Sequence, residues 1–233
     1  MKTLTALLLY ALSANAADLI VAAASDLAPL APKLESAYKE KIRFTLASSG
    51  SLKQQIENGA PFDVFLSANE QYVKDLAAAG LVSDTTNYAI GRIALWSPNG
   101  SVKSFADLKK NSVTHLAIPN PEHAPYGVAA RQALESQGVW KDVEPKIVYG
   151  ENVRQALQFA ESGNVDAVIT SWTLLIGKGT LLPDEWHTPI RQTGAVVKSS
   201  SQQEAARRFL KFLLTPATQK ILNDGGLWSP KAP

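Results

Sequence analysis

From Leu19 onward, the chain alternates short apolar runs with amphipathic segments. The first three runs are "LIVAAAS", "IRFTLASSGS" and "DVFLSA", and a segment with helical periodicity follows each of them. Strands that are apolar on both faces and alternate with helices are typical of a parallel sheet covered by helices. The pattern returns in "RIALWSP", "HLAIPNPEHAPYG", "KIVYGENV" and "DAVITSW". The sequence therefore predicts an α/β protein with two successive halves, each a mainly parallel sheet flanked by helices.

The end of the chain predicts a return to the first half. The run "GAVVKSS", from Gly194, is typical of a strand, and "QQEAARRFLKFLLT" is typical of an amphipathic helix. Its apolar face would consist of Ala206, Phe209, Leu210 and Leu213. Because the sequence has no flexible linker, we expect two lobes joined by two crossing strands. The expected division is 17–89 with 196–233 for lobe 1, and 90–195 for lobe 2.

Residues 1–16, "MKTLTALLLYALSANA", are typical of a secretory signal peptide. They contain an early lysine, an apolar run from Leu4 to Leu12, and a small-residue cleavage motif that ends at Ala16. The apolar run is too short to cross a bilayer as a helix. We therefore expect cleavage after Ala16 and a soluble protein in the periplasm.

Composition excludes several classes of site. The sequence contains no cysteine, so it offers neither disulfides, nor a thiolate metal site, nor an attachment point for a lipid anchor. The formal net charge is only +2. A nearly balanced charge does not favour nucleic acid or an anionic membrane as a partner.

Four predicted strand-to-helix junctions share one chemistry. They lie at Ser25, at 48–51, at Tyr126, and at Asn152 with Val153. Each places small, hydroxylated or glycine-adjacent residues at the first turn of a helix, where backbone N–H groups have no partner inside the helix. Such helix ends bind anions, and ligands of open α/β sheets bind beyond the carboxyl ends of the strands. The sequence therefore predicts an anion site lined from both lobes, without lysine or arginine.

Each of these residues also has a purely structural interpretation. Ser49 is a good candidate for the N-cap of the helix that follows it, and Ser25 for a turn residue. Tyr126 fits a half-buried aromatic side chain, and Val153 a core side chain. The recurrence of four such junctions at one end of the strands favours the functional interpretation.

Other chemistries have weaker support. The chain has neither the G-x-S-x-G motif of a serine hydrolase nor the lysine and spacing of a phosphate-binding loop. Asp26 and Asp63 would suit an acid/base pair, but capping and turn roles suit both better. An iron site built from Tyr126, Glu122 and His123 stays open as an alternative to the anion site.

Four separated segments carry a family resemblance. In order, "VAAASDL", "ASSGSLKQQIENGAPFDVFLSA", "PNPEHAPYGVAARQAL" and "ENVRQAL" resemble the periplasmic molybdate-binding proteins of ABC transporters, over nearly the whole chain after Ala16. The resemblance implies a monomeric two-lobed binding protein that closes on molybdate or tungstate through hydrogen bonds alone. It also implies a membrane permease as partner, no cofactor, no direct bond from the protein to the metal, and no enzymatic activity.

The resemblance also implies roles for individual residues. Ser25 and Ser49 would each donate a hydroxyl and a backbone N–H to the oxyanion, and Tyr126 and Val153 would each donate a backbone N–H. Some family members have a ligand-binding tyrosine where this chain has "DAVITSW", so either the phenol of Tyr126 or the hydroxyl of Thr170 would replace it.

Asp26 stands where a branch of the family has an asparagine that serves the ligand. An ionised carboxylate would repel a dianion, so we expect Asp26 to point away from it and to accept N–H bonds of its own turn. A receptor for sulfate or another oxyanion, and a secreted α/β enzyme, remain the alternative functions. Phosphate is disfavoured because its proton would need an acceptor.

Overall fold

The computed structural model describes residues 18–230. The predicted signal peptide at 1–16 lies outside the described residues, so it stays a prediction. Within the described part of the chain, no helix has both the length and the apolar character needed to cross a membrane.

Ten strands form two five-stranded sheets. The first sheet contains β1 (Leu19–Ala24), β2 (Ile42–Ala47), β3 (Val64–Ser67), β4 (Val82–Gly91) and β10 (Ile190–Val197), in the order β2-β1-β3-β10-β4. The second contains β5 (Ile93–Trp96), β6 (Leu116–Pro119), β7 (Ile147–Gly150), β8 (Ala167–Ser171) and β9 (Thr180–Leu181), in the order β7-β6-β8-β5-β9. The prediction of a two-lobed α/β protein is confirmed.

Each sheet is mixed, with four strands that run in one direction and one strand, β10 or β5, that runs against them. In the first sheet, β1 is parallel to β2 and β3, whereas β10 is antiparallel to β3 and β4. In the second, β6 is parallel to β7 and β8, whereas β5 is antiparallel to β8 and β9. The antiparallel pairs involve the strands next to the two crossings, because a chain that passes from one sheet to the other enters against the direction of the parallel strands.

Helices follow the strands as the alternation predicts. They are α1 (Ala31–Ala37), α2 (Ser49–Glu57), α3 (Glu70–Ala78), α4 (Phe105–Leu108), α5 (Pro125–Ser136), α6 (Trp140–Val143), α7 (Val153–Glu161), α8 (Trp172–Leu175), α9 (Gln203–Leu213) and α10 (Pro216–Asp224). A 3-10 turn, Ser25–Leu27, follows β1. The four predicted apolar residues of α9 are all buried, in the same cluster as core residues of β1 and β3.

The chain crosses between the sheets twice. The first crossing lies between Gly91, the end of β4, and Ile93, the start of β5. On the return, Leu182 still donates its N–H to the carbonyl of Ile93, and Ile190 already pairs with Gly91. Strand pairing therefore places 190–195 in the first sheet, whereas the predicted division assigned them to lobe 2. The sequence predicted this strand only from Gly194, because Arg191, Gln192 and Thr193 interrupt the apolar pattern of its first half.

Candidate functional site

A small pocket lies where β1, β2, β6 and β7 end. The pocket is small: the centre of a water-sized sphere fits within only about 10 Å³ of it. A larger groove, of about 870 Å³, lies beside Asp18 and Gln202 and contains none of the predicted site residues. The residues that line the small pocket come from both lobes: Ala24, Ser25, Asp26, Ala47, Ser48, Ser49, Ala68, Ala124, Pro125, Tyr126, Asn152 and Val153.

The four predicted junctions thus meet in one pocket. Ser25, Ser49, Tyr126 and Val153 all line it, and Thr170 does not. No lysine or arginine is among the described residues that line it. The pocket therefore offers neutral donors, and its size suits a compact ligand rather than an extended organic molecule.

The first lobe contributes two buried hydroxyl groups. Ser25 is 3% exposed, and its Oγ has no hydrogen-bond partner among the described residues. Ser49 is 1% exposed, and its Oγ accepts the N–H of Ala68 at 3.0 Å. Because that bond uses a lone pair of Ser49, the hydroxyl hydrogen remains available for another acceptor.

Ser49 is not the N-cap of α2. The N-cap is Ser48, whose Oγ accepts the N–H of Ser51 at 3.3 Å. Ser49 is the first helical residue, so its N–H has no partner inside the helix. The capping interpretation of Ser49 is therefore wrong by one residue, and both its hydroxyl and its N–H line the pocket side of the helix start.

The second lobe contributes backbone donors. Tyr126 is the second residue of α5, and Val153 is the first residue of α7. The Asn152 side chain caps α7 by accepting the N–H groups of Arg154 and Gln155, at 2.9 and 3.2 Å. The cap leaves the N–H of Val153 without an intrahelical partner. The Val153 side chain is buried, so this residue offers the pocket its backbone only.

The two hydroxyls expected to replace the family's tyrosine are both occupied inside the protein. The phenol of Tyr126 donates to Asp26 Oδ2 at 2.8 Å. The hydroxyl of Thr170 donates to the carbonyl of Val153 at 2.9 Å. Tyr126 therefore braces the lobe interface with its side chain, and Thr170 holds the start of α7 from behind the pocket.

Asp26 has partners that its expected role in its own turn did not include. It is fully buried, and its Oδ2 accepts from the phenol of Tyr126 and the Nε2 of Gln192, at 2.8 and 2.6 Å. Burial raises the pKa of Asp26 from the usual 3.8 to about 7, while hydrogen bonds from Tyr126, from Gln192 and from its own backbone N–H oppose this rise. The sequence did not predict a role for Gln192. Its only indication was a polar amide within a strand whose other residues are mostly buried.

The lobes touch around the pocket. The N–H of Gly50 in α2 donates to the carbonyl of His123 at 2.9 Å, and the hydroxyl of Thr173 in α8 donates to the carbonyl of Asp26 at 2.7 Å. A Cβ atom at Gly50 would lie 2.7 Å from the Cβ of His123, so glycine permits this approach. The structure is thus a closed arrangement of the two lobes.

The alternative sites lose support from these contacts. Among residues 18–230, no group of three histidine, aspartate or glutamate side chains is placed to hold a metal ion. Glu122 instead accepts from the Asn120 side chain, and the Tyr126 phenol binds Asp26. The oxygens of Asp63 accept from the N–H of Ile20 in β1 and the hydroxyl of Ser200 after β10, so this carboxylate ties these two segments of the first lobe together.

Comparisons with known proteins agree with this architecture. A molybdate-binding protein of Rhodobacter capsulatus is 34% identical over 93% of this chain and 90% of its own length. A periplasmic molybdate-binding protein of Azotobacter vinelandii superposes with a TM-score of 0.85, at 29% identity, over 92% of this chain and 100% of that one. The sulfate-binding protein of Mycobacterium tuberculosis shares the fold, with a TM-score of 0.74 at 16% identity over 92% of this chain and 87% of that one.

A family model for bacterial extracellular solute-binding proteins matches residues 17–227. This match spans every described strand and helix and all the residues that line the pocket. The chain therefore belongs to the family of bacterial extracellular solute-binding proteins.

Proposed function

We propose that this chain is the substrate-binding component of an ABC importer, and that it captures molybdate or tungstate between its lobes. The observation that carries the proposal is the buried Ser25 hydroxyl, which has no partner in a pocket lined by first-turn N–H groups from both lobes. An unsatisfied buried hydroxyl is costly, and an anion oxygen would supply its acceptor. The names of the molybdate-binding relatives support this choice of anion.

The proposed contacts are all hydrogen bonds from neutral groups. Ser25 and Ser49 each donate a hydroxyl and an N–H, and Tyr126 and Val153 each donate an N–H. Each bond to a charged oxygen contributes about 1.5–3 kcal/mol, so a set of this size offsets the cost of desolvating a dianion. No bond runs from the protein to the metal atom, which is enclosed by its own oxygens.

Selection among oxyanions follows from the donor set. Donors alone favour an anion without protons, which disfavours phosphate at neutral pH because its proton would lack an acceptor. Sulfate carries no such proton, so size must distinguish it from molybdate. Donors fixed at the ends of helices on two lobes hold the oxygens at set distances, and the shorter S–O bonds would leave some donors unpaired.

The pocket favours binding over catalysis. Ser49 Oγ is paired with the N–H of Ala68 and not with a histidine or carboxylate, so this serine has no base to activate it. We therefore infer a receptor without a cofactor or an enzymatic step. We also infer a monomer in the periplasm that, once closed, presents surfaces of both lobes to a membrane permease. The ligand favours this closed state by contacting both lobes at once.

Anion binding tests the proposal directly. The protein, freed of bound anion by unfolding and refolding, is unfolded thermally with sodium molybdate, tungstate, sulfate or phosphate. We expect molybdate and tungstate to raise the midpoint, because a ligand at about 100 times its Kd adds about 2.7 kcal/mol to the free energy of unfolding. An equal response to sulfate would change the proposal to a general oxyanion receptor. A flat response to all four anions would reject it.

A further inference from the structure

Asp26 is a buried carboxyl group at the edge of the pocket with one oxygen satisfied and one not. Its Oδ2 accepts from the phenol of Tyr126 and from the amide of Gln192. Its Oδ1 is buried and has no hydrogen-bond partner among the described residues. Asp26 and Ser25 are thus neighbours in sequence, each with a buried oxygen that lacks a partner, and both line the pocket.

The surrounding bonds fix which oxygen is the acceptor. The phenol of Tyr88 donates to Gln192 Oε1 at 2.9 Å, which turns the NH₂ group of Gln192 toward Asp26 Oδ2. Oδ2 therefore receives two donors and is the carbonyl-like oxygen of the group. A proton on the carboxyl group would reside on Oδ1, where the protein supplies no acceptor.

Among residues 18–230, no positively charged group compensates an ionised Asp26. The groups that face it are Tyr88 of β4, Gln192 of β10, Tyr126 of α5 and Thr173 of α8. Burial, together with the neighbouring Asp26, raises the pKa of both tyrosines well above the usual value, so both are neutral donors. A carboxylate here would face a bound dianion without any cation between them, which is repulsive at close range.

We propose that Asp26 takes up one proton from solvent when the lobes close on the oxyanion, and that its Oδ1–H then becomes a donor to that anion. The inference rests on the proposed function and adds a residue to the proposed binding set. Closure drives the proton uptake because Tyr126 and Thr173, both from the second lobe, cover Asp26 only in the closed arrangement.

The sign of the pH dependence follows from this coupling. In the open protein, Asp26 is solvated and ionised at neutral pH, and in the closed complex it is protonated. Binding then consumes one proton, so affinity for the anion falls by up to about tenfold per pH unit between the usual pKa of an aspartate, about 4, and the pKa of about 7 that Asp26 has in the closed protein. It levels off above the pKa of the carboxyl group in the complex.

Calorimetry with sodium molybdate, in buffers of different ionisation enthalpy, measures the proton uptake. We expect the wild-type protein to take up about one proton per anion at pH 6, where the group is ionised when solvated and protonated when buried, and Asp26→Asn to take up none. The asparagine Nδ2 replaces the Oδ1–H donor, so the affinity of this variant should vary by less than about threefold from pH 5 to 7, the range in which the wild-type affinity changes most. Asp63→Asn is the matched control, because Asp63 is buried in the same lobe but does not line the pocket.

Each other outcome overturns the inference. Wild-type binding without proton uptake would show that Asp26 does not change protonation on binding, and this test needs no variant. Uptake that persists in Asp26→Asn would assign the proton to another group. Both results leave the proposed function intact, whereas wild-type protein that binds neither molybdate nor tungstate would overturn the proposed function and this inference together.

Discussion

The two lobes build their halves of the pocket from different atoms. Besides the backbone N–H groups of Ser25 and Ser49, the first lobe offers side chains, namely the hydroxyls of these two serines and the carboxyl group of Asp26. The second lobe offers the N–H groups of Tyr126 and Val153, whose side chains serve the lobe interface and the core. The side-chain donors of the first lobe are therefore removable one at a time, whereas the backbone donors of the second depend on where α5 and α7 are held.

This difference suggests an order of events. We expect the side-chain hydroxyls of the first lobe to hold the anion before closure, and the backbone donors of the second lobe to reach it only when the lobes meet. Closure also forms the contacts from Gly50 to His123 and from Asp26 to Tyr126 and Thr173. We therefore expect the second lobe to contribute affinity for the anion and the closed arrangement together.

The largest effect is expected from Gly50→Ala, which separates the lobes without touching a proposed donor. The new Cβ would lie within 2.8 Å of three atoms of His123, two of them backbone, so closure is blocked. Loss of the two backbone donors of the second lobe should weaken molybdate binding at least about a hundredfold. Alanine in α2 should leave the unliganded protein as stable or more stable by up to about 1 kcal/mol.

Calorimetry and thermal unfolding of Gly50→Ala separate these two effects. Gln55→Ala, an exposed change on the same helix, is the control and should bind as the wild type does. If Gly50→Ala bound molybdate with wild-type affinity, closure at this edge would contribute nothing to binding, and the order of events above would be wrong.

Ser49→Ala should weaken both binding and the fold. It removes a proposed donor, at a cost of about tenfold to a hundredfold in Kd, and it leaves the buried N–H of Ala68 without its acceptor. We expect the free energy of unfolding of the unliganded protein to fall by about 1–3 kcal/mol. Denaturant unfolding and calorimetry measure the two losses, with Ser51→Ala as a control on the same helix. Unchanged binding would remove Ser49 from the proposed site.

Ser25→Ala should weaken binding by a similar factor without the loss of stability. Because Ser25 Oγ has no partner in the described part of the chain, its removal breaks none of the hydrogen bonds there and relieves an unsatisfied buried hydroxyl. The unfolding midpoint of the unliganded variant should therefore stay level or rise while Kd rises about tenfold to a hundredfold. A drop in stability equal to that of Ser49→Ala would show that Ser25 has a structural partner instead.

Much of the fold was predictable because its signals are local. Apolar runs such as "LIVAAAS" mark buried strands, and the apolar face of α9 is visible in the spacing of its residues. The direction of β10 was not predictable in this way, since periodicity does not distinguish parallel from antiparallel pairing. Its start was also missed, because its polar residues are satisfied by distant partners, as Gln192 is by Tyr88 and Asp26.

The site was predictable where a single junction carries its chemistry. Ser25, Ser49, Tyr126 and Val153 each stand at the end of a strand, and the common end of the strands brings them together. The bond from Tyr126 to Asp26 joins residues 100 positions apart, and that from Gln192 to Asp26 spans 166. No local pattern encodes such a contact, so the role of Asp26 and the occupation of the Tyr126 phenol emerged only from the structure.

Thr170→Val gives the smallest expected effect and tests whether the second lobe contributes any side-chain donor. The Thr170 hydroxyl donates to the carbonyl of Val153 and not to the pocket, so its loss should shift the start of α7 slightly. We expect Kd for molybdate to rise no more than about threefold, and the free energy of unfolding to fall by about 1 kcal/mol. Thr170→Ser keeps the hydroxyl and should restore both. A loss of tenfold or more in Thr170→Val, with stability unchanged, would make Thr170 a direct ligand and would end the contrast between side-chain donors in one lobe and backbone donors in the other.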